Sequence, residues 1–292
     1  MKILLTGNSG FIGKNIGNYL LKKGHLIEGI SRKTSSQEYP THNLDLQNAN
    51  ALDKISPKKS FDCIIHCATL TKENEINLMF KNNVLSTLNL LNFCKSKKIK
   101  KFILISGHNV YAQNSKIPKT EKSKILPSTN YGLTKLLQEN LAEFYSINHS
   151  IDVIILRLSY TYGPNQPVEK MIPTLINKYV KSQPIVLNKY KNGFQKIDLI
   201  NIHDICNVVD KVLQLNRHFD IFNISFGKSI TVKDIIKILK QNITSNSNIS
   251  IKEIDRKTDH YHYDISHAKS ILNFKPIVTP ELGIKELIKN YL

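Results

Sequence analysis

Short apolar runs alternate along this chain with longer segments in which apolar residues recur every three or four positions. The runs fall near 2–6, 25–30, 42–45, 61–66, 101–106 and 151–157, and each reads as a buried strand. Between them, Phe11 to Leu21, 75–96 and 130–147 carry the helical period. Strand–helix alternation over the first half implies right-handed βαβ crossovers, hence a parallel sheet with helices on its faces. Beyond Gly163-Pro164-Asn165-Gln166-Pro167 the rhythm loosens. Helices are expected near 168–182, 203–214, 231–241, 264–272 and 280–290, with short strands between them. The polar stretch Gln241 to Ser250 reads as a surface loop, and no internal repeat is visible. The second half reads as a smaller lobe on the sheet's C-terminal edge, where parallel sheets bind ligands.

Composition narrows the function classes. With 292 residues and 41% apolar content, the chain can bury a large core without disulfide or metal staples. No apolar run approaches the ~18 to 20 residues of a membrane span, and the start, Met1-Lys2-Ile3-Leu4-Leu5, reads as a strand rather than a signal peptide. Cys63, Cys67, Cys94 and Cys206 form no C-x-x-C pair, so reduced thiols and a cytoplasmic location are expected. The net charge of +18 raises the question of nucleic acid. Arginine occurs only at 32, 157, 217 and 256, and the lysines are scattered without a like-charge block. A positive field serving an anionic small molecule is expected instead, with neither nucleic acid nor membrane as partner. His260, His262 and His267 with Asp259 and Asp264 lack a fixed ligand spacing, so no metal site is expected.

Two local patterns carry chemistry. The first strand runs into Thr6-Gly7-Asn8-Ser9-Gly10-Phe11-Ile12-Gly13. A glycine-rich turn between strand and helix lets backbone approach a pyrophosphate, which the helix N-terminus then attracts. The second is Tyr131-Gly132-Leu133-Thr134-Lys135, where Tyr and Lys at i and i+4 share a helix face. An ammonium beside a phenol lowers its pKa, and such a tyrosine can pass a proton to or from a substrate oxygen.

Together these motifs resemble the extended short-chain dehydrogenase/reductase family of nucleotide-sugar epimerases, dehydratases and ketoreductases. Thr6 to Gly13 resembles its T-G-x-x-G-x-x-G, Asp45-Leu46 its adenine-side acidic pair, and His66-Cys67-Ala68 its H-x-A segment. Asn83-Val84 with Thr87, Val110-Tyr111, and Leu156-Arg157 before Tyr162-Gly163-Pro164 follow in family order. Asp198, Asp204, Asn223, Gly227, Arg256, Asp264 and Ala268-Lys269 complete the likeness. The resemblance implies an α/β fold: a Rossmann-like doubly wound parallel sheet with a smaller mixed α/β C-terminal substrate lobe. It divides the chain into 1–158 plus about 197–224 for the dinucleotide and about 159–196 plus 225–292 for the substrate.

The same resemblance assigns roles. Gly7, Ser9, Gly10, Phe11, Ile12, Gly13, Ser31, Arg32, Lys33, Asp45, Leu46, Cys67, Ala68, Asn83, Tyr131 and Lys135 would touch the cofactor. Thr69, Tyr160, Lys196 and Arg256 would touch a nucleotide-diphosphate sugar. Tyr131 would be the acid–base group, with Lys135 holding the ribose and tuning it. Three departures stand out. Gly107 replaces the usual Ser or Thr before Val110-Tyr111, leaving Ser106, His108 or a water to orient the substrate carbonyl. Tyr160 replaces an Asn after Leu156-Arg157, and Ile197 an Arg before Asp198.

Charge decides the expected cofactor. An NAD site ends its second strand in Asp or Glu, whereas an arginine there suits the 2′-phosphate of NADP. Here Ser31-Arg32-Lys33 follows Gly29-Ile30, with no acid before Glu38, so NADP(H) is expected over NAD(H). Dehydratases carry acids just after the fifth strand, where this chain has His108 and Asn109. The leading expectation is therefore an NADP(H)-dependent reductase of a nucleotide-diphosphate 4-keto, 6-deoxy sugar for cell-surface polysaccharide, working as a homodimer. The alternatives are a nucleotide-sugar epimerase that retains NAD(P) and a non-catalytic dinucleotide-binding protein.

Overall fold

In the computed structural model, which describes residues 1–32, 38–55, 60–71, 75–113 and 115–292, the alternation becomes layers. The chain opens with β1 (Lys2–Thr6), α1 (Phe11–Lys22), β2 (Leu26–Ser31) and β3 (Thr41–Asn43). It continues through β4 (Cys63–His66), α2 (Ile76–Met79), a π-helical turn over Phe80–Leu85, α3 (Ser86–Ser96) and β5 (Lys101–Gly107). A short 3₁₀ turn, His108–Val110, leads to α4 (Asn130–His149) and β6 (Asp152–Leu158). There follow β7 (Tyr160–Tyr162), α5 (Met171–Val180), β8 (Ile185–Tyr190), β9 (Gly193–Phe194), β10 (Lys196–Asn201) and α6 (Ile202–Leu213). The chain then forms β11 (Phe219–Ile224), β12 (Ser229–Thr231), α7 (Val232–Asn242), β13 (Ile249–Ile254), α8 (Ser266–Leu272) and α9 (Pro280–Ile288).

Two compact units result. The first comprises Met1–Ala112, Lys124–Leu158 and Cys206–Phe222. Its seven-stranded sheet has the order β11-β6-β5-β4-β1-β2-β3, with β1 through β6 paired in parallel. The chain winds one way from β1 to β3 and the other way from β4 to β6, so the switch point lies between β1 and β4. A doubly wound sheet opens its ligand crevice there. Leu4, Ile64, Phe102, Leu104, Val153 and Ile155 are fully buried against Leu90 and Leu91 of α3 and Ala142 of α4. Each such apolar side chain contributes ~1.5–3 kcal/mol.

The single helix expected over 75–96 is α2, a π-turn and α3. The wider turn buries the consecutive Asn82 and Asn83, which an unbroken α-helix would splay about 100° apart. Asn83 bonds both backbone groups of Leu70 and the Thr134 hydroxyl.

The second unit comprises Gln113–Ser123, Ser159–Ile205 and Asn223–Leu292. It holds two three-stranded sheets, β12-β10-β7 and β13-β8-β9. Ile176, Ile197, Leu199, Ile235, Leu239 and Ile284 form its core. The loop expected over Gln241 to Ser250 is shorter, because α7 runs to Asn242 and β13 starts at Ile249. Among the described residues no helix is long and apolar enough to cross a membrane.

Candidate active site

At the switch point Gly7 follows the last residue of β1 and turns at φ +69°. A side chain is strained in that conformation, and a Cβ there would lie 2.7 Å from the Ala68 backbone nitrogen. The turn therefore lies close against the segment after β4, and Gly13 of α1 packs on the Gly7 carbonyl so closely that a side chain there would collide with it. That helix begins with Gly10 as an N-cap that offers no side-chain bond and has no acid in its first turn. Its free N–H groups and positive end are left for an anion. Beside it opens a cavity of about 410 Å³. Of the residues expected to touch the cofactor, Gly7, Ser9, Gly10, Ser31, Arg32, Asp45, Leu46, Cys67 and Ala68 line it. Ile30, Leu44, Asn82 and Ser86 line it too, and were not anticipated. Lys33 lies outside the described residues. A dinucleotide suits this cradle of close backbone, helix N-terminus and polar rim.

The rim is organised. Ser31 donates from Oγ to Ser9 Oγ at 2.8 Å. Arg32 donates from a terminal guanidinium nitrogen to Asn82 Oδ1 at 2.7 Å, and Gln47 Nε2 donates to the same oxygen at 3.3 Å. Asp45 accepts from the Gln47 backbone N–H at 3.0 Å. Beneath the rim His66 bridges Thr6 (2.7 Å) and Thr87 (2.9 Å). Burial, with the Lys135 charge adding, pushes its pKa down to about 3, so it is a neutral tie between β1, β4 and α3. Burial likewise pushes the Cys67 thiol up to about 12, which keeps it protonated.

Tyr131 and Lys135 stand on one face of α4, with Lys135 Nζ 5.9 Å from the centre of the Tyr131 ring. Thr129 caps this helix by accepting from the Gly132 N–H at 3.0 Å. Lys135 is buried and donates to the Ile105 carbonyl at 2.8 Å, which ties it to β5. Its pKa is pulled down to about 8 by burial, with Cys67 and Glu139 opposing. The phenol behaves differently from the sequence expectation. Burial pushes Tyr131 up to about 12, with the Thr69 hydroxyl alongside pulling the other way. Desolvation outweighs the Thr69 bond, and Tyr131 holds its proton at neutral pH.

Ser106 and His108 flank Gly107 at the end of β5. The Ser106 hydroxyl donates to Glu139 Oε1, and both side chains are buried. Arg157 closes that cluster, donating to Glu139 Oε2 at 2.7 Å and to the Tyr111 hydroxyl at 3.1 Å. His108 Nδ1 lies 3.3 Å from the Leu158 carbonyl. Phe11, Ile12, Gly13, Asn83, Tyr131 and Lys135 are not among the residues lining the cavity; Asn83 braces the loop after β4 instead.

Of the substrate candidates, Thr69 lies in the first unit and lines the cavity. The other three lie in the second unit. Tyr160 packs edge-on against Tyr261 with ring centres 5.4 Å apart. The Tyr261 N–H donates to the Lys196 carbonyl at 2.9 Å, and the Lys191 N–H to the Arg256 carbonyl at 3.0 Å. His260 accepts from the Lys196 N–H at 3.2 Å, which gives this histidine a bracing role. Ile197 is 1% exposed inside the core, where an arginine could not stand. Asp198 and Asp204 are braces as well. Asp198 accepts from the Gly227 and Tyr263 N–H groups, and Asp204 from those of Ile277 and Val278.

A family model described as Epimerase, the NAD dependent epimerase/dehydratase family, matches residues 3–225. The chain is 29% identical over 265 residues to a dTDP-D-glucose 4,6-dehydratase of Dictyostelium discoideum, an alignment covering 81% of this chain but only 61% of that protein. It is 26% identical over 310 residues to the dTDP-4-dehydro-6-deoxyglucose reductase of Escherichia coli, covering 99% and 96% of the two chains. Among solved structures it is similar to a UDP-glucuronic acid 4-epimerase variant from Bacillus cereus, bound to UDP-4-deoxy-4-fluoro-glucuronic acid and NAD. That likeness has 26% identity, a TM-score of 0.87 and full coverage of both chains.

Proposed function

Because the chain belongs to the NAD dependent epimerase/dehydratase family, we propose that it reduces the 4-keto group of a nucleotide-diphosphate 6-deoxy sugar at the expense of NADPH. The observation that carries this reading is the cavity rim, where Ser31 and an Arg32 held by Asn82 stand in place of a carboxylate. A guanidinium there favours a 2′-phosphate, and NADPH is the usual donor for net reduction. The diphosphate bridge would rest on Gly7, Ser9, Gly10 and the start of α1, and the adenine beside Asp45 and Leu46. A nicotinamide bound in this site would supply the hydride to C4 of the sugar. Tyr131 then gives its phenolic proton to the C4 oxygen: the phenol O–H bond breaks, an O–H bond forms on the sugar, and solvent reprotonates the tyrosine. Lys135 fixes the ribose and stabilises the transient phenolate. Tyr160, Lys196 and Arg256 would recognise the nucleotide sugar, with Lys196 and Arg256 supplying cations where Ile197 supplies none. Among relatives, the reductase of Escherichia coli supports this reaction.

The 4-epimerase likeness favours a second reading, an epimerase that keeps its cofactor and returns the hydride to the same sugar. The two differ in net turnover. Supplied with NADPH and dTDP- or UDP-linked 4-keto sugars, the protein should consume one NADPH per sugar reduced. Consumption of none, with interconversion of UDP-sugar epimers, would decide for the epimerase. The reading sets the enzyme in the cytoplasm, and we further propose a homodimer. Leu133, Phe144 and Ile147 are 42%, 55% and 71% exposed and fall on one face of α4, an apolar stripe a second copy would cover.

Arg32 gives a direct check on the cofactor. NADPH should bind at least about tenfold more tightly than NADH in a fluorescence titration, and Arg32→Ala should remove at least ~1.4 kcal/mol of that difference. Equal affinity of the unmodified protein for both would refute the cofactor assignment.

A further inference from the structure

The turn after β5 has no hydroxyl at Gly107, yet the site described above needs a group to hold the carbonyl oxygen beside Tyr131. We infer that the side-chain amide of Asn109 is that group, a catalytic hydrogen-bond donor to the substrate carbonyl. This rests on the reading of the site as one that forms or reduces a sugar ketone.

Four observations carry it. Position comes first. Outside the adjoining residues, the nearest atom to a Cβ built on Gly107 would be Asn109 Oδ1, at 3.6 Å, so the carboxamide stands beside the place a hydroxyl on residue 107 would reach, and a half-turn about its last side-chain bond brings the NH₂ there. Attachment comes second. The Asn109 carbonyl packs directly on Gly132, so closely that any side chain there would collide with it. Gly132 follows Tyr131 in the chain, so the 3₁₀ turn is fastened to the start of α4 at the residue next to the phenol. Availability is third. Asn109 is half-buried, and its side chain makes no hydrogen bond among the described residues, although its neighbours do. Both amide N–H donors are therefore unspent.

The last observation concerns the two neighbouring side chains, Ser106 and His108. Ser106 has a single O–H, and it is donated to Glu139. His108 Nδ1 faces the Leu158 carbonyl, which requires that nitrogen to carry the proton. In a neutral imidazole the other ring nitrogen is then an acceptor and cannot serve a carbonyl oxygen. The carboxamide donates at every working pH and keeps its protons. It strengthens its bond as the oxygen gains negative charge and leaves the proton transfer to Tyr131. A lone Asn in a three-residue turn has no spacing signal, which is why sequence alone does not single it out.

The test compares the wild type with Asn109→Ala and with Asn109→Ala/Gly107→Ser, on whichever nucleotide sugar the wild type turns over. Loss of one such donor lowers kcat ~10²- to 10³-fold, and NADPH affinity should stay within about twofold. Gly107→Ser returns a hydroxyl to a position with room for a Cβ and should restore at least about tenfold. A second readout needs no turnover. The infrared carbonyl stretch of a bound 4-keto sugar, labelled with carbon-13 at C4, should move toward its unbonded frequency in Asn109→Ala. An Asn109→Ala variant within about threefold of wild type with an unmoved carbonyl band would overturn the inference. So would a loss of NADPH affinity matching the loss of turnover. A wild type that only interconverts epimers defeats the reductase reading alone, since the same comparison then runs on that reaction. A wild type inert toward both substrate classes defeats both.

Discussion

Tyr131→Phe is expected to lower turnover ~10²- to 10⁴-fold while NADPH binding stays near the wild-type value. The substitution keeps the ring that packs near Lys135 and removes only the hydroxyl. Burial holds that hydroxyl at a pKa of about 12, so it is loaded as an acid throughout the neutral range. Lys135 sets the upper limit. Its ammonium, drawn down to about 8, is present below that pH and lost above it, so wild-type turnover should decline as pH rises through about 8. Stopped-flow turnover and a cofactor titration on the same preparations check both statements. A Phe variant retaining most of the activity would remove Tyr131 from the chemistry and favour a protein that binds dinucleotide without catalysis.

The second large effect falls on stability. Glu139 and Arg157 are 3% and 5% exposed, and all three carboxylate–guanidinium contacts lie within 3.2 Å. Ser106 and Tyr111 bond to the same pair. Removing one partner leaves the other charge buried and unpaired, at ~3–5 kcal/mol. Glu139→Gln should therefore lower the urea midpoint strongly without changing the slope. Replacing both partners, as in Glu139→Leu/Arg157→Met, should recover most of the loss, because two apolar groups leave no orphan charge. A loss below about 1 kcal/mol for the single variant would show that water reaches this pair.

How much of this was legible beforehand depends on the range of each interaction. β1, the glycine turn and α1 are adjacent in sequence, so their pattern announces the turn and the open helix N-terminus beside the cavity. Tyr131 and Lys135 are four residues apart on one helix, so periodicity alone puts them on one face. Pairings across long separations were not legible. Period 2 or 3.6 reveals which face is buried but not what buries it. β11 joining the sheet beside β6, the Glu139–Arg157 pair and the hold of Asn82 on Arg32 are all of this kind. The π-turn at Phe80–Leu85 was hidden because its sequence, Phe-Lys-Asn-Asn-Val-Leu, is compatible with an ordinary helix. Family likeness located Arg157, Asp198 and Asp204 yet not their work; the structure gives each of them buried partners. Burial also reversed the expected direction for the Tyr131 phenol, since desolvation depends on packing that no local pattern records.

The central claim is net hydride delivery from an exchangeable cofactor to C4 of a nucleotide sugar. It is tested most directly by supplying NADPH deuterated at the nicotinamide C4 with a dTDP- or UDP-linked 4-keto-6-deoxy sugar, and weighing the product. The account predicts one deuterium at C4 of the sugar and one oxidised cofactor per product molecule. A product carrying no deuterium, formed while the supplied cofactor stays reduced, would contradict it.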